Sequence, residues 1–139
     1  MRLRTSYRYP LYAAFAALVL TGAGWLVADW QKDVAGDEIW QQVAANMLMV
    51  HGGMAMLALL LLGALIPLHV QRSWRSGENL VSGSVMAAIN AVLIVTAFGL
   101  YYLGSEAVRP LMSWIHLGTG VSLALILPLH IWLGRRARR

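Results

Sequence analysis

The stretch MVHGGMAMLALLLLGALIPLHV, residues 49–70, contains no charged side chain and carries a histidine near each end. It belongs to a longer apolar run, residues 39–71, which exceeds the roughly 20 residues that a helix needs to cross about 30 Å of membrane hydrocarbon. Backbone N–H and C=O groups find no water there, so a run of this kind must be helical. The stretch therefore predicts a transmembrane helix that carries histidines.

The whole chain is built from runs of this kind. Of its 139 residues, 59% are hydrophobic and only 12% are charged. The other uncharged runs are residues 9–28, 79–105 and 110–134. Three arginines precede the first run, but it is longer than the roughly 7–15 residues of a secretory signal core, so we interpret it as a span. We predict an all-α membrane protein, an up-down-up-down four-helix bundle that forms a single domain over residues 1–139, with spans near 10–29, 43–70, 80–104 and 111–133.

Basic residues are concentrated on one side of these predicted spans. Nine lie in the N-terminal segment, the second connection and the C-terminal segment: Arg2, Arg4, Arg8, Arg72, Arg75, Arg135, Arg136, Arg138 and Arg139. Only Lys32 and Arg109 lie on the opposite side. By the positive-inside rule both termini are cytoplasmic, and we expect a bacterial inner (cytoplasmic) membrane. Membrane topology therefore accounts for the net charge of +5, and we expect membrane lipid rather than nucleic acid as a partner.

The chain has no cysteine, which excludes disulfides, thiolate-held iron–sulfur clusters and covalently attached c-type haem. The remaining candidate ligands are the four histidines, His51 and His69 in the second span and His116 and His130 in the fourth. Their spacings are 18 and 14 residues. At about 100° per residue, 18 residues make five whole turns and 14 fall about 40° short of four turns. We therefore predict that each pair lies on one face of its helix.

Membrane topology then predicts which histidines meet. The second and fourth spans both run from the outer to the inner face, so His51 shares a level with His116, and His69 shares one with His130. Two imidazoles that converge from neighbouring helices can ligate a haem iron from both sides, and helix bundles build such sites in their cores. We predict two haems b, one near each face. No carboxylate lies near either pair in the sequence, which disfavours zinc.

The two histidine helices also resemble each other. WIHLG (114–118) and SLALILPLHIW (122–132) repeat the pattern of MVHGG and LALLLLGALIPLHV, with a proline two residues before each inner histidine. Pro67 and Pro128 are predicted to free the carbonyls of Gly63 and Ala124 and to re-aim the last turn. Glycines lie at the level of the outer histidines, where they either make room for a macrocycle or serve ordinary close packing: Gly22, Gly24, Gly52, Gly53, Gly99, Gly118 and Gly120.

This constellation resembles the di-haem membrane cytochromes b, the four-helix group that includes cytochrome b561 proteins and the quinone-linked cytochrome b subunits of respiratory complexes. The resemblance covers about residues 47–136 and rests on His51, His69, His116 and His130. It implies two non-covalent bis-histidine haems b that relay electrons between quinone or a redox partner subunit and an acceptor at the other face. It is compatible with an oligomer. The 18-residue spacing departs from the pattern, because it is one turn longer than the 14 residues of the partner helix.

Other residues have more than one interpretation. Arg72, Arg75, Arg135 and Arg136 are candidate partners of haem propionates on the inner side, although positive-inside anchoring alone explains them. Arg109 or Lys32 could take that role outside. Met54 is an alternative outer ligand, and we expect Asn90 to make a structural hydrogen bond. Two other functions stay open: a stand-alone oxidoreductase acting on quinone, superoxide or a ferric chelate, and a haem-free transport or assembly subunit. Whether the chain is itself an enzyme is also left open.

Overall fold

The structure is a computed structural model that describes residues 4–77 and 80–136, and each of the elements in these residues is helical. The elements are α1 (Thr5–Ala35), α2 (Glu38–Leu65), a π-helical segment (Ile66–Val70), α3 (Gln71–Ser76), α4 (Leu80–Tyr102) and α5 (Arg109–Arg136). Four helices are long and apolar enough to cross a membrane, with α2, the π-helical segment and α3 continuous over Glu38–Ser76. The chain thus has the predicted architecture of an all-α multi-pass membrane protein. Arg2, Asn79, Arg138 and Arg139 lie outside the described residues.

The helices extend beyond the predicted spans because charged residues mark the edge of the hydrocarbon and not the end of a helix. The continuous helix Glu38–Ser76 has 39 residues, which at about 1.5 Å each is roughly 58 Å and about twice the hydrocarbon thickness. Its end is set by Gly77, with a φ of 70° and an N–H bonded to the Trp74 carbonyl. Gly36 ends α1 in the same left-handed conformation, with a φ of 67°. Glycine is favoured there because it has no Cβ to clash.

Contacts divide the chain into two compact units, with the boundary between His69 and Val70. The first, which we name the first hairpin, consists of α1 and α2 packed against each other. Its buried residues include Ala14, Ala28, Ala44 and Ala58. Without a hydrophobic effect inside lipid, membrane helices associate through close packing, and small side chains allow their backbones to approach.

The second hairpin consists of α4 and α5, with α3 packed against α4. Thr96, Gly99 and Leu123 are buried there. Large apolar side chains point outward from both hairpins: Leu60 is 74% exposed and Val81 is 80% exposed. A water-soluble protein rarely exposes apolar surface on this scale, so the exposure agrees with a membrane protein.

The twin motifs IPLHV and LPLHI have different backbones. IPLHV forms the π-helical segment, in which bonds from i to i+5 replace those from i to i+4. Pro67 has no N–H, and the Gly63 carbonyl instead accepts a hydrogen bond from the N–H of Ile66. The predicted release of that carbonyl is therefore wrong, because the N–H three residues further along the chain bonds to it in place of the missing proline N–H. In the second copy α5 stays α-helical through Pro128.

The π-helical segment changes where His69 points. A π turn holds about one residue more than an α turn, so His69 lags by up to about 100° behind its position in a continuous α-helix. The prediction that His51 and His69 share one face of the helix assumed a continuous α-helix. It therefore does not hold across the π-helical segment. The spacing of 18 residues corresponds to about 17 α-helical residues. The mismatch with the 14-residue pair thus falls from about 6 to about 4.5 Å.

Candidate histidine sites in the two hairpins

His51 packs against α1 within the first hairpin. Its Nδ1 lies 3.0 Å from Oγ1 of Thr21. Beside it, a Cβ added at Gly22 would lie 3.3 Å from Cε1 of the His51 ring, which is closer than ordinary contact. The absence of a side chain at Gly22 therefore lets the imidazole lie directly against α1.

The hydrogen bonds of Thr21 favour one tautomer of His51. Thr21 Oγ1 donates to the Ala17 carbonyl at 2.6 Å. A hydroxyl has one proton to give and two lone pairs that accept, so an oxygen that donates to Ala17 can only accept from His51, which favours an N–H at Nδ1. A neutral imidazole protonated at Nδ1 carries its lone pair on Nε2. Nε2 is the ring nitrogen that points away from Thr21 and the one that would bind a metal.

His116 has the same arrangement in the second hairpin. Its Nδ1 lies 2.9 Å from Oγ1 of Thr96, and Thr96 Oγ1 donates to the Val92 carbonyl at 2.7 Å. Thr96 is buried, with 4% of its surface exposed. The same proton count favours a His116 that is protonated at Nδ1 and has its lone pair on Nε2.

These contacts belong to a constellation of four residues that occurs in both hairpins. A threonine and a glycine three residues apart on the first helix face a methionine and a histidine four residues apart on the second. The members are Thr21, Gly24, Met47 and His51 in one hairpin, and Thr96, Gly99, Met112 and His116 in the other. In both, a Cβ added to the glycine would meet the methionine sulfur, at 3.1 Å for Gly24 and 3.5 Å for Gly99. The internal repeat thus extends from the two histidine helices to their partners.

The inner histidines differ from each other. His130 Nδ1 lies 3.1 Å from Oγ of Ser82 on α4, the helix that also bonds to His116. This confirms that His116 and His130 share one face of α5. His69 lies half-buried in the π-helical segment. His51, His116 and His130 therefore each place Nδ1 against a hydroxyl of the preceding long helix.

Sequence reasoning did not single out Thr21, Thr96 or Ser82. Hydroxyl residues in membrane helices commonly bond the carbonyl four residues back, as Thr119 and Ser122 do at 2.6 and 2.8 Å. A threonine in a span is therefore weak evidence of a site. The signal that could have found two of them is the Thr-x-x-Gly pattern, which recurs in the first and third spans.

The glycines at the level of the outer histidines have two kinds of surroundings. At Gly22, Gly24 and Gly99 the space of a side chain is filled by a histidine or methionine of the facing helix, so close helix packing explains them. A Cβ added at Gly53 or Gly118 would meet no atom of the described chain within 4 Å. These two positions therefore have room for a side chain.

The candidate propionate partners lie near the helix ends. Arg72 and Arg75 are exposed on α3, and Arg135 is exposed in the last turn of α5. Arg136 stacks on Trp132, with its guanidinium carbon 4.0 Å from the ring centroid. Such stacking anchors a side chain at the interface.

Arg109, the first residue of α5, is exposed. Lys32 lies 2.8 Å from Asp29 and 3.8 Å from Asp33. Two carboxylates of its own helix therefore offset the charge of Lys32, which leaves Arg109 as the better candidate on the outer side.

Two other candidates have local roles. Asn90 donates from Nδ2 to the Met86 carbonyl at 2.8 Å, a structural bond within its own helix. The sulfur of Met47, one turn before His51, lies against Gly24, while Met54 stays a predicted alternative ligand.

Among residues 4–77 and 80–136, no three side chains of His, Cys, Asp or Glu come together as a metal-binding group. No protein-family model, curated protein or solved structure matches the chain. The functional argument therefore rests on the geometry of the individual histidines.

Proposed function

We propose that this chain is a b-type cytochrome that binds two haems and passes single electrons across the membrane. The observation that carries the proposal is the placement of three membrane histidines with Nδ1 against a hydroxyl. A histidine that ligates a metal almost always donates its other ring N–H to an acceptor, which fixes the tautomer and the ring orientation. For His51 and His116 the proton count supports a lone pair on Nε2.

The donor set fits haem better than other metal groups. Ionisable side chains within membrane spans are costly and are usually kept for function. Haem iron needs only two axial ligands from the protein, whereas zinc takes three or four. Bound haem would supply one-electron chemistry between its ferrous and ferric states. The protein would set the position, surroundings and basicity of its ligands.

The order of membrane crossings supports the pairing of the ligands. With both termini in the cytoplasm, α2 and α5 both run from the outer to the inner face. We therefore propose that His51 and His116 ligate an outer haem, and that His69 and His130 ligate an inner haem. Arg72, Arg75 and Arg135 would pair with propionates on the inner side, and Arg109 would do so on the outer side.

The resemblance to di-haem cytochromes b supports quinone or a membrane-bound redox subunit as the exchange partner. We propose that the chain relays electrons between such a partner and an acceptor at the other face, within a bacterial inner membrane.

A reduced-minus-oxidised optical spectrum of the purified protein tests the proposal. We expect the sharp bands of low-spin b haem, because two imidazoles complete the coordination of the iron. A colourless protein would contradict it and favour a haem-free transport or assembly subunit. Turnover of quinone, superoxide or a ferric chelate by the isolated protein would instead identify a stand-alone oxidoreductase.

A further inference from the structure

We infer that Thr21 and Thr96 are matched positioning residues of the outer haem, each fixing the tautomer of one axial histidine and adjusting its basicity. The inference rests on the proposed function, since it assigns a role to two residues that would not touch the haem iron themselves.

The first step is a directed chain of hydrogen bonds. The hydroxyl protons of Thr21 and Thr96 are committed to carbonyls of their own helices, at 2.6 and 2.7 Å. Neither hydroxyl can then donate to an imidazole. If His51 or His116 were protonated at Nε2 instead, two lone pairs would face each other at 3.0 or 2.9 Å. The arrangement therefore favours the tautomer that can ligate iron through Nε2.

The second step concerns the iron. An imidazole that donates its Nδ1–H becomes a stronger electron donor at Nε2, and a chain of successive bonds strengthens each member. A stronger donor stabilises ferric iron relative to ferrous iron, so the two threonines lower the reduction potential of the haem. Second-shell hydrogen bonding of this kind is one of the levers by which a protein sets haem potential.

The recurrence of the same four residues in both hairpins supports a role in positioning the histidines over a role in helix association alone. Hydroxyl bonds between membrane helices also serve as glue, but here the same threonine, glycine, methionine and histidine recur in both hairpins. Thr119 is the counter-example: its hydroxyl bonds the Ile115 carbonyl of its own helix at 2.6 Å.

The test uses Thr21→Val and Thr96→Val in the full-length protein, because valine keeps the shape of threonine and removes the hydroxyl. We expect both variants to raise the potential of the same haem in a redox titration and to change its low-spin EPR signal, with the other haem unaffected. Thr21→Ser and Thr96→Ser should restore both properties. Thr119→Val is the matched control and should behave as wild type.

Wild-type values for both haems in Thr21→Val and Thr96→Val would overturn the inference while leaving the proposed function intact. A wild-type protein without haem would overturn both. Should the valine variants fail to fold, ¹⁵N NMR of histidine-labelled wild-type protein without haem reports the tautomer directly. We expect His51 and His116 to be protonated at Nδ1, and protonation at Nε2 would contradict the inference.

Discussion

At the scale of single residues, the missing side chain at Gly22 determines how His51 can lie. An added methyl group would be 3.3 Å from Cε1 of the ring, and Thr21 holds the same ring through Nδ1. The ring cannot retreat without lengthening that bond. We therefore predict that Gly22→Ala tilts His51 and changes the EPR signal of the outer haem, while the inner signal stays as in wild type.

Gly63→Ala is the control for this prediction, because Gly63 lies about three turns from His51 on the same helix and a Cβ added there would meet no described atom within 4 Å. It should leave both haem signals unchanged and, by helix propensity, stabilise α2 by up to about 1 kcal/mol. An unchanged outer haem in Gly22→Ala would show that the close approach of α1 does not orient His51.

At the scale of helical elements, the π-helical segment makes α2 different from α5. The segment contains Pro67 and begins at Ile66, whose N–H bonds the Gly63 carbonyl. Proline in a helix interior costs about 3 kcal/mol relative to alanine. We predict that Pro67→Ala converts the segment to α-helix, rotates His69 by up to about 100°, and weakens or removes the inner haem, as measured by haem content.

Pro128→Ala provides the comparison, since α5 is already α-helical through this position. It should retain both haems. If Pro67→Ala also retains an unchanged inner haem, the π-helical segment does not aim His69.

The sequence allowed the four helices to be predicted because gaps between charged residues mark lipid-spanning runs directly. It did not locate the helix ends, which depend on left-handed glycines such as Gly36 and Gly77. Pro67 and Pro128 stand in near-identical motifs, yet only Pro67 lies in a π turn, because backbone register depends on more than the local sequence. The histidines were evident, whereas Thr21 and Thr96 required knowledge of which helix faces which.

At the scale of the whole molecule, charge asymmetry predicts the orientation in the membrane. Nine basic residues against two predict that both termini are cytoplasmic. A C-terminal alkaline phosphatase fusion, active only after export, should therefore be inactive, and a C-terminal green fluorescent protein fusion should fluoresce. An active phosphatase fusion would show that the C-terminus is outside. The haem sites called outer and inner would then exchange places.

Under the proposed topology α2 and α5 cross the membrane in the same direction, which predicts how the ligands pair. His69→Ala and His130→Ala should each remove the same haem, and the double variant should match either single one, because losing one ligand already breaks a bis-histidine site. His51→Ala and His116→Ala should remove the other haem. Haem content and redox titration of these variants check the pairing. If His69→Ala and His116→Ala removed the same haem, the pairing would be wrong.

The central claim is that the four membrane histidines hold two haems. A pyridine haemochrome assay on the purified protein, with the protein quantified by amino-acid analysis, measures this most directly. The account predicts two haems b per chain, each released without covalent attachment, since the chain has no cysteine. A preparation from haem-replete cells that contains no haem would contradict it.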